Sequence, residues 1–277
     1  MKRLFVLLWT HPLLLIKKLI ARLLIVLNIP RHPVSKNYNG FAFTFDVAFS
    51  PVMRDLYYGM YEHDTFTIMK RFLKKGDTFF DIGANIGYFT ARAAGFVGTE
   101  GNIHAFEPVP EYYRYLRDAA RNNSCFSVNA NQLALSDHAG HVTLYTSKKN
   151  IGWNTAVQGG LQSDIKNIIK IPTITLDEYT KKNNIARIHV MKIDTEGYEF
   201  PVLKGGYHFF RSVDHKPLII CEISPQYYSL LGISTSDVEE YMQNFGYRSY
   251  RTDNIRKSIN LASIQRTTNI VFMHGHQ

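Results

Sequence analysis

The spacing of apolar and polar positions along the chain predicts a doubly wound α/β domain. Short apolar runs ending in a polar residue fall at Thr78–Ile82 (TFFDI), Asn102–Phe106 (NIHAF), Phe126–Ala134, Val190–Ile193 (VMKI) and just before Glu222 (PLIICE). Such runs read as strands buried on both faces of a parallel sheet. Positions with helical spacing follow Gly87, Pro108 and Gly197, which completes the strand–helix alternation. Gly140–Tyr145 alternates as a further strand, and TNIVFM, from Thr268, as a terminal one. The polar stretch from Ser147 to Asp164 is too long for an ordinary connection and is expected to be a lid or binding loop. Trp153 and Asn154 within it are the expected acceptor contacts.

Three of the strand ends carry chemistry. After Asp81, Gly83 and Gly87 lighten a turn that opens a helix, where free backbone amides and the helix dipole suit a polar or anionic ligand. A dinucleotide fingerprint needs glycines two and five residues after the first. This chain has Asn85 and Tyr88 there, which disfavours an NAD-dependent oxidoreductase. S-adenosylmethionine asks for one close backbone approach, at Gly83, with Asn85 free to hydrogen-bond. Glu107 ends the next strand, 24 residues after Gly83, where a carboxylate suits the two hydroxyls of a ribose. One strand further along the chain, Asp137 is expected beside the adenine ring, although an aspartate before Ala-Gly-type sequence is also a common turn former. The third strand end, in HVMKIDTEGYEFPVLKGG, directs Lys192, Asp194 and Glu196 to one side while the chain stays extended.

Together, DIGANIGYFT, AFEP and KIDTEGYEFPVLKG resemble the FkbM family of S-adenosylmethionine-dependent methyltransferases, over about Tyr57 to Met273. The resemblance implies the class I methyltransferase fold, a Rossmann-like α/β sheet, mostly parallel, with helices on both faces and an antiparallel terminal strand. It implies that Asp81, Gly83, Asn85 and Gly87 form the cofactor loop, that Glu107 is the ribose acid, and that Asp194, Glu196 and Gly197 are the D-x-E-G signature. The implied reaction is O-methylation of a hydroxyl on a glycan, a glycolipid or other lipid-linked acceptor, or a small-molecule secondary metabolite. Asp194 is the best-placed general base, with Glu222 and Glu196 as runners-up; a purely structural role for Asp194 is the competing reading. Asp194, Glu196, Glu199 and Glu222 together suggest a hard divalent ion. Glu199 is expected to turn away once its helix starts, and Lys192 supplies counter-charge, so no metal is expected. Glu62 matches an acid in the family's lead-in segment and reads either as an acceptor contact or as a helix N-terminal charge. A nucleoside-binding module without catalysis is the remaining alternative, since every motif residue would persist in one.

Charge separates the first residues from the rest. The chain of 277 residues carries a formal charge of +9, and residues 1–40 hold seven bases and no acid. The remainder is nearly neutral and lacks the basic, aromatic-laced face that nucleic acid binding requires. The expected organisation is therefore a basic amphipathic segment, residues 1–38, before one catalytic domain, residues 39–277. Lys17, Lys18, Arg22 and Asn28 share one arc of a helical wheel opposite Leu, Ile and Val, and Arg3, Thr10 and His11 extend that arc across a break at Pro12. No apolar stretch reaches the length of a spanning helix, and no small-residue cleavage site follows Leu27. Residues 1–30 thus read as a helix lying on an anionic membrane surface, with packing on the domain's own core, or pairing of two chains, as the rival. Cys125 and Cys221 make neither a disulfide framework nor a zinc site, which points to a reducing, cytoplasmic setting.

Overall fold

The computed structural model describes residues 12–50 and 52–275. Its centre is an eight-stranded sheet in the order β12-β11-β13-β10-β9-β3-β4-β5. Here β3 is Thr78–Ile82, β4 Asn102–Phe106, β5 Ser127–Asn131, β9 Val190–Ile193, β10 Leu218–Ile223, β11 Tyr247–Arg251, β12 Asn254–Ser258 and β13 Thr268–His274. The contiguous strands from β5 to β10 run parallel, and β13 enters antiparallel between β10 and β11. This is the sheet that the family resemblance implies. Its middle strands are buried throughout, because Phe79, Phe80, Ile82, Val190, Met191 and Ile193 meet helices on both faces.

The order reverses between β3 and β9, so the carboxyl ends of these two strands open a crevice. Register places Asp81 beside Lys192 and Ile82 beside Ile193, and the Asp194 amide donates to the Ile82 carbonyl at 3.0 Å. The two chemistry-bearing loops therefore leave adjacent strand ends.

A second sheet stands over this crevice. It has the order β6-β8-β7, built from Ala134–Leu135, Ile165–Ile174 and Gly140–Ser147 respectively. The apolar run that begins at Phe126 is thus broken: β5 ends at Asn131, and Ala134–Leu135 crosses to the second sheet.

A hairpin of β1, Val34–Tyr38, and β2, Phe41–Phe45, completes the body. Phe41, Phe43 and Phe45 are fully buried on alternate positions, and Phe43 and Phe45 meet the Tyr88 ring edge-on. The expected boundary between residues 38 and 39 falls in the turn of this hairpin.

Ahead of it, Pro12–Val26 is a helix. Its continuation through Arg3, Thr10 and His11, and the break before Pro12, lie outside the described residues. The helix turns its Ala21 side inward, buried at 6 %, while Ile16, Leu19, Ile20, Leu23 and Val26 face outward. The described side chains of this helix therefore divide: Ala21 is buried and Leu24 and Ile25 are half-buried, whereas the five larger exposed ones do not pack on the domain core. Among the described residues no helix is long and apolar enough to cross a membrane.

Candidate functional site

The crevice opens into a cavity with about 610 Å³ of empty space, walled by both sheets. Its floor is the first loop, and its sides are Val109, Leu135, Val142, Ala156 and Ile171, which make an apolar slot. Glu107 stands in it, only 4 % exposed, and each of its oxygens accepts one backbone amide: Oε2 from Asn85 at 2.8 Å and Oε1 from Val109 at 2.7 Å. Burial pushes its carboxyl up to about 8, against the pull of those two amides. Both oxygens keep a second lone-pair direction, so Glu107 can still receive a vicinal diol.

The loop residues do different work from that expected of them. Gly83 adopts φ +83°, and a Cβ there would lie 1.8 Å from the Asp194 carbonyl oxygen. Its bareness admits the neighbouring strand end, and its backbone lines both this slot and an inner cavity beside it. The side chain of Asn85 is not free: its amide donates to the Ile151 carbonyl at 2.8 Å, and its oxygen accepts from the Ile86 amide. Asn85 instead ties the long loop across the cavity mouth. Gly87, at φ +89°, lets the following helix approach Leu116. Asp81 borders neither the slot nor the inner cavity beside it. It is fully buried, accepts the Thr90 hydroxyl at 2.6 Å, and leaves Oδ1 without a hydrogen-bond partner beside Lys192. Asp137 is likewise outside the slot, because Lys204 and His138 hold it at 3.0 and 2.8 Å. The Tyr88 ring fills the place where a dinucleotide site needs its third glycine, packed at 5 % exposure.

The second loop supplies the charge. Lys192 is buried under the Phe89 ring and holds Asp194 Oδ2 at 2.6 Å. Burial alone would lower its pKa, but Asp194, Glu62 and Asp81 outweigh that and keep the ammonium above its ordinary range. Carboxylate oxygens of Asp194, Glu196 and Glu222 lie within 4.8 Å of one another. Burial and then the Asp194 charge push Glu196 up to about 9 and Glu222 up to about 11. Glu62 caps a helix start with left-handed backbone, and its buried Oε2 faces this group without a hydrogen-bond partner. At neutral pH the raised values leave Glu196 and Glu222 protonated, so the pocket gains negative charge for a sulfonium or an ammonium group only as these acids ionise.

Glu199 contradicts its expected outward course. It is fully buried, and its Oε1 accepts from the Thr195 amide and hydroxyl and from the Gly197 amide at 2.9–3.1 Å, while Oε2 accepts the Tyr228 hydroxyl at 3.0 Å. Left-handed backbone at Glu196 and Gly197 swings the chain round before the helix begins, so the first helical side chain points back beneath the loop. The geometry of Thr195–Gly197 rests on this brace.

Glu196 borders three spaces at once: the apolar slot, an inner cavity containing Lys192 and Asp194, and an outer groove. The outer groove is lined by Tyr61, Trp153, Glu222, Gln226, Tyr227 and Thr267, among others. Trp153 stands there, 47 % exposed, whereas Asn154 spends both side-chain atoms bracing its own loop. Tyr61 and Tyr227 had no signal in the sequence beyond being aromatic residues near acids.

Comparison with known proteins adds to this geometry. The family model of the methyltransferase FkbM domain matches residues 81–249. The hexuronic acid methyltransferase AglP of Haloferax volcanii is 27 % identical over 162 residues, covering 58 % of this chain and 62 % of that protein. The 31-O-demethyl-FK506 methyltransferase FkbM of Streptomyces tacrolimicus is 30 % identical over 161 residues, covering 48 % and 60 %. The chain thus spans about six-tenths of the length of these relatives. A solved methyltransferase FkbM structure from Methylobacillus flagellatus is similar over 80 % of this chain and 54 % of that one, at 15 % identity and a TM-score of 0.44.

Proposed function

The chain belongs to the FkbM methyltransferase family, and from that premise we propose that it is an S-adenosylmethionine-dependent O-methyltransferase acting on a hydroxyl of a glycan, glycolipid or secondary metabolite. The observation that carries this reading is the position of Glu196 where the apolar slot, the inner cavity and the aromatic-lined groove meet. S-adenosylmethionine, when bound, supplies a methyl group on a cationic sulfur that an oxygen nucleophile can take. The residues present fit such a donor. Glu107 would receive the ribose hydroxyls, the slot between Val109, Leu135 and Ile171 would take the purine, and the acids around Asp194 would face the positive charges.

The outer groove offers ring faces in Trp153, Tyr61 and Tyr227 and hydrogen-bonding ends in Gln226 and Thr267. That combination suits a hydroxyl-bearing ring, whose apolar faces stack while its edges hydrogen-bond. The acceptor hydroxyl must also lose its proton. Asp194 is engaged by the Lys192 ammonium, which occupies Oδ2 at 2.6 Å. Glu196 has its proton affinity raised to about 9 and stands at the junction of the three spaces. We therefore assign the base role to Glu196 and give Asp194 that of fixing Lys192 and the loop.

A base with this proton affinity works only when ionised. The value of kcat/KM should rise about tenfold per pH unit below pH 9 and level off above it. Glu196→Gln should lower kcat by roughly a hundredfold or more and remove that rise, while S-adenosylmethionine still binds. Labelled-methyl transfer to a fractionated glycan and lipid pool is the measurement. Calorimetric binding of the donor with no transfer to any fraction would leave a nucleoside-binding module instead, and an unchanged pH profile in Glu196→Gln would return the base role to Asp194 or Glu222.

A further inference from the structure

The outward face of the Pro12–Val26 helix has no counterpart in the catalytic machinery. Ile16, Leu19, Ile20, Leu23, Val26 and Leu27 are each half or more exposed, and at 100° per residue they fall within an arc of about 120°. Among the described residues nothing covers these large, contiguous aliphatic side chains, and such a face marks a contact surface. The inward side is fixed to the body. Ala21 is buried, Arg54 Nε donates to the Pro30 carbonyl at 3.1 Å, and the Tyr58 hydroxyl donates to the Ile29 carbonyl at 3.2 Å.

Charge decides what meets this face. On the helical wheel Arg22 borders the apolar arc on the Val26 side. Arg22 is exposed, and exposed Arg31 follows the helix end. The first acidic residue of the chain is Asp46. A second copy docking by two-fold symmetry would bring like cations face to face with no acid in the segment to offset them. A bilayer surface has no such conflict: the aliphatic side chains sink to the acyl boundary while the flanking bases meet anionic headgroups. At 15 residues the helix is about 22 Å long and lies along such a surface rather than crossing it.

We propose that this helix is a peripheral docking face for anionic lipid bilayers. Its attachment also orients the enzyme. Arg54 and Tyr58, which hold the helix end, belong to the Val52–Tyr58 helix, whose Val52 and Leu56 line the inner cavity beside Lys192 and Asp194. One short helix therefore separates the membrane face from the cavity wall.

Co-sedimentation of the full chain with phosphatidylglycerol–phosphatidylcholine vesicles, and with phosphatidylcholine vesicles alone, tests the proposal. The wild type should partition onto the anionic vesicles. Arg22→Ala should bind them roughly fivefold more weakly, and Leu19→Glu with Leu23→Glu at least about a hundredfold more weakly. These positions are exposed, so the thermal midpoint and S-adenosylmethionine binding should stay as in the wild type. Equal partitioning of wild type and double variant, or absence of wild-type binding to anionic vesicles, would overturn it. So would a wild-type dimer that the double variant converts to monomer without any vesicle binding.

Discussion

The loops after β3 and β9 sit on adjacent strand ends, and both use glycine at positive φ, yet they are built to opposite purposes. The first, residues 83–87, spends its side chains on the protein: Asn85 latches the long loop, and Gly83 makes room for a carbonyl. Its five backbone amides are spent within the protein as well, that of Asn85 on Glu107, so the loop serves a ligand by seating that carboxylate rather than by offering free amides. The second, residues 194–199, exports two carboxylates into the cavities and keeps a third, Glu199, beneath itself as a brace. A loop that displays charge needs buried support of its own, whereas one that seats a neighbouring carboxylate needs only clearance.

The largest break in this comparison should come from Gly83→Ala. The new methyl group would need the space of the Asp194 carbonyl, at 1.8 Å, on a backbone that L residues rarely adopt. Neither strand end can yield, because the Asp194 amide is bonded to the Ile82 carbonyl. A loss of at least about 4 kcal/mol is expected in denaturant titration. A variant that melts within a few degrees of the wild type would show that the two loops are not wedged together.

Next in size is the brace. Glu199→Ala leaves the amides of Thr195 and Gly197 and the Tyr228 hydroxyl without their buried acceptor, and should cost about 2–4 kcal/mol. Glu199→Gln keeps an oxygen for the two amides, and its amide group can donate to the Tyr228 oxygen, so stability should recover by more than half. Equal losses in both variants would mean that the charge of Glu199, rather than its hydrogen bonds, matters to the loop.

The contrast also explains what the sequence made legible. Apolar runs ending at Ile82, Phe106 and Ile193 were readable as central strands because each is buried on both faces, and glycines after them marked the turns. Glu107 was readable because a carboxylate at a strand edge has a fixed place in such folds. What local pattern could not carry was direction. Left-handed backbone at Glu196 and Gly197 reverses the course on which Glu199 was expected to face away. Asp137 follows the expected strand but is captured by Lys204, 67 residues later in the chain. The β6-β8-β7 sheet was missed for a similar reason: Gly140–Ser147 finds its partner only at Ile165–Ile174, beyond the long loop. Yet Val142 and Ile171 from that sheet wall the cavity.

The finest test concerns the charge that the second loop displays. Glu222 faces Glu196 from the end of β10, and burial followed by the neighbouring carboxylates raises it to about 11. In the unfolded chain a glutamate releases its proton near 4.3. Between these values the native state holds a proton that the unfolded state has lost, so stability falls as pH rises. Glu222→Gln removes this dependence. Its thermal midpoint should exceed that of the wild type by roughly 2 to 4 °C at pH 9 and match it at pH 4, where the glutamate is mostly protonated in both states. An identical gain at both pH values would trace it to packing, and no gain at pH 9 would mean that the acids facing the groove tolerate one another's charge.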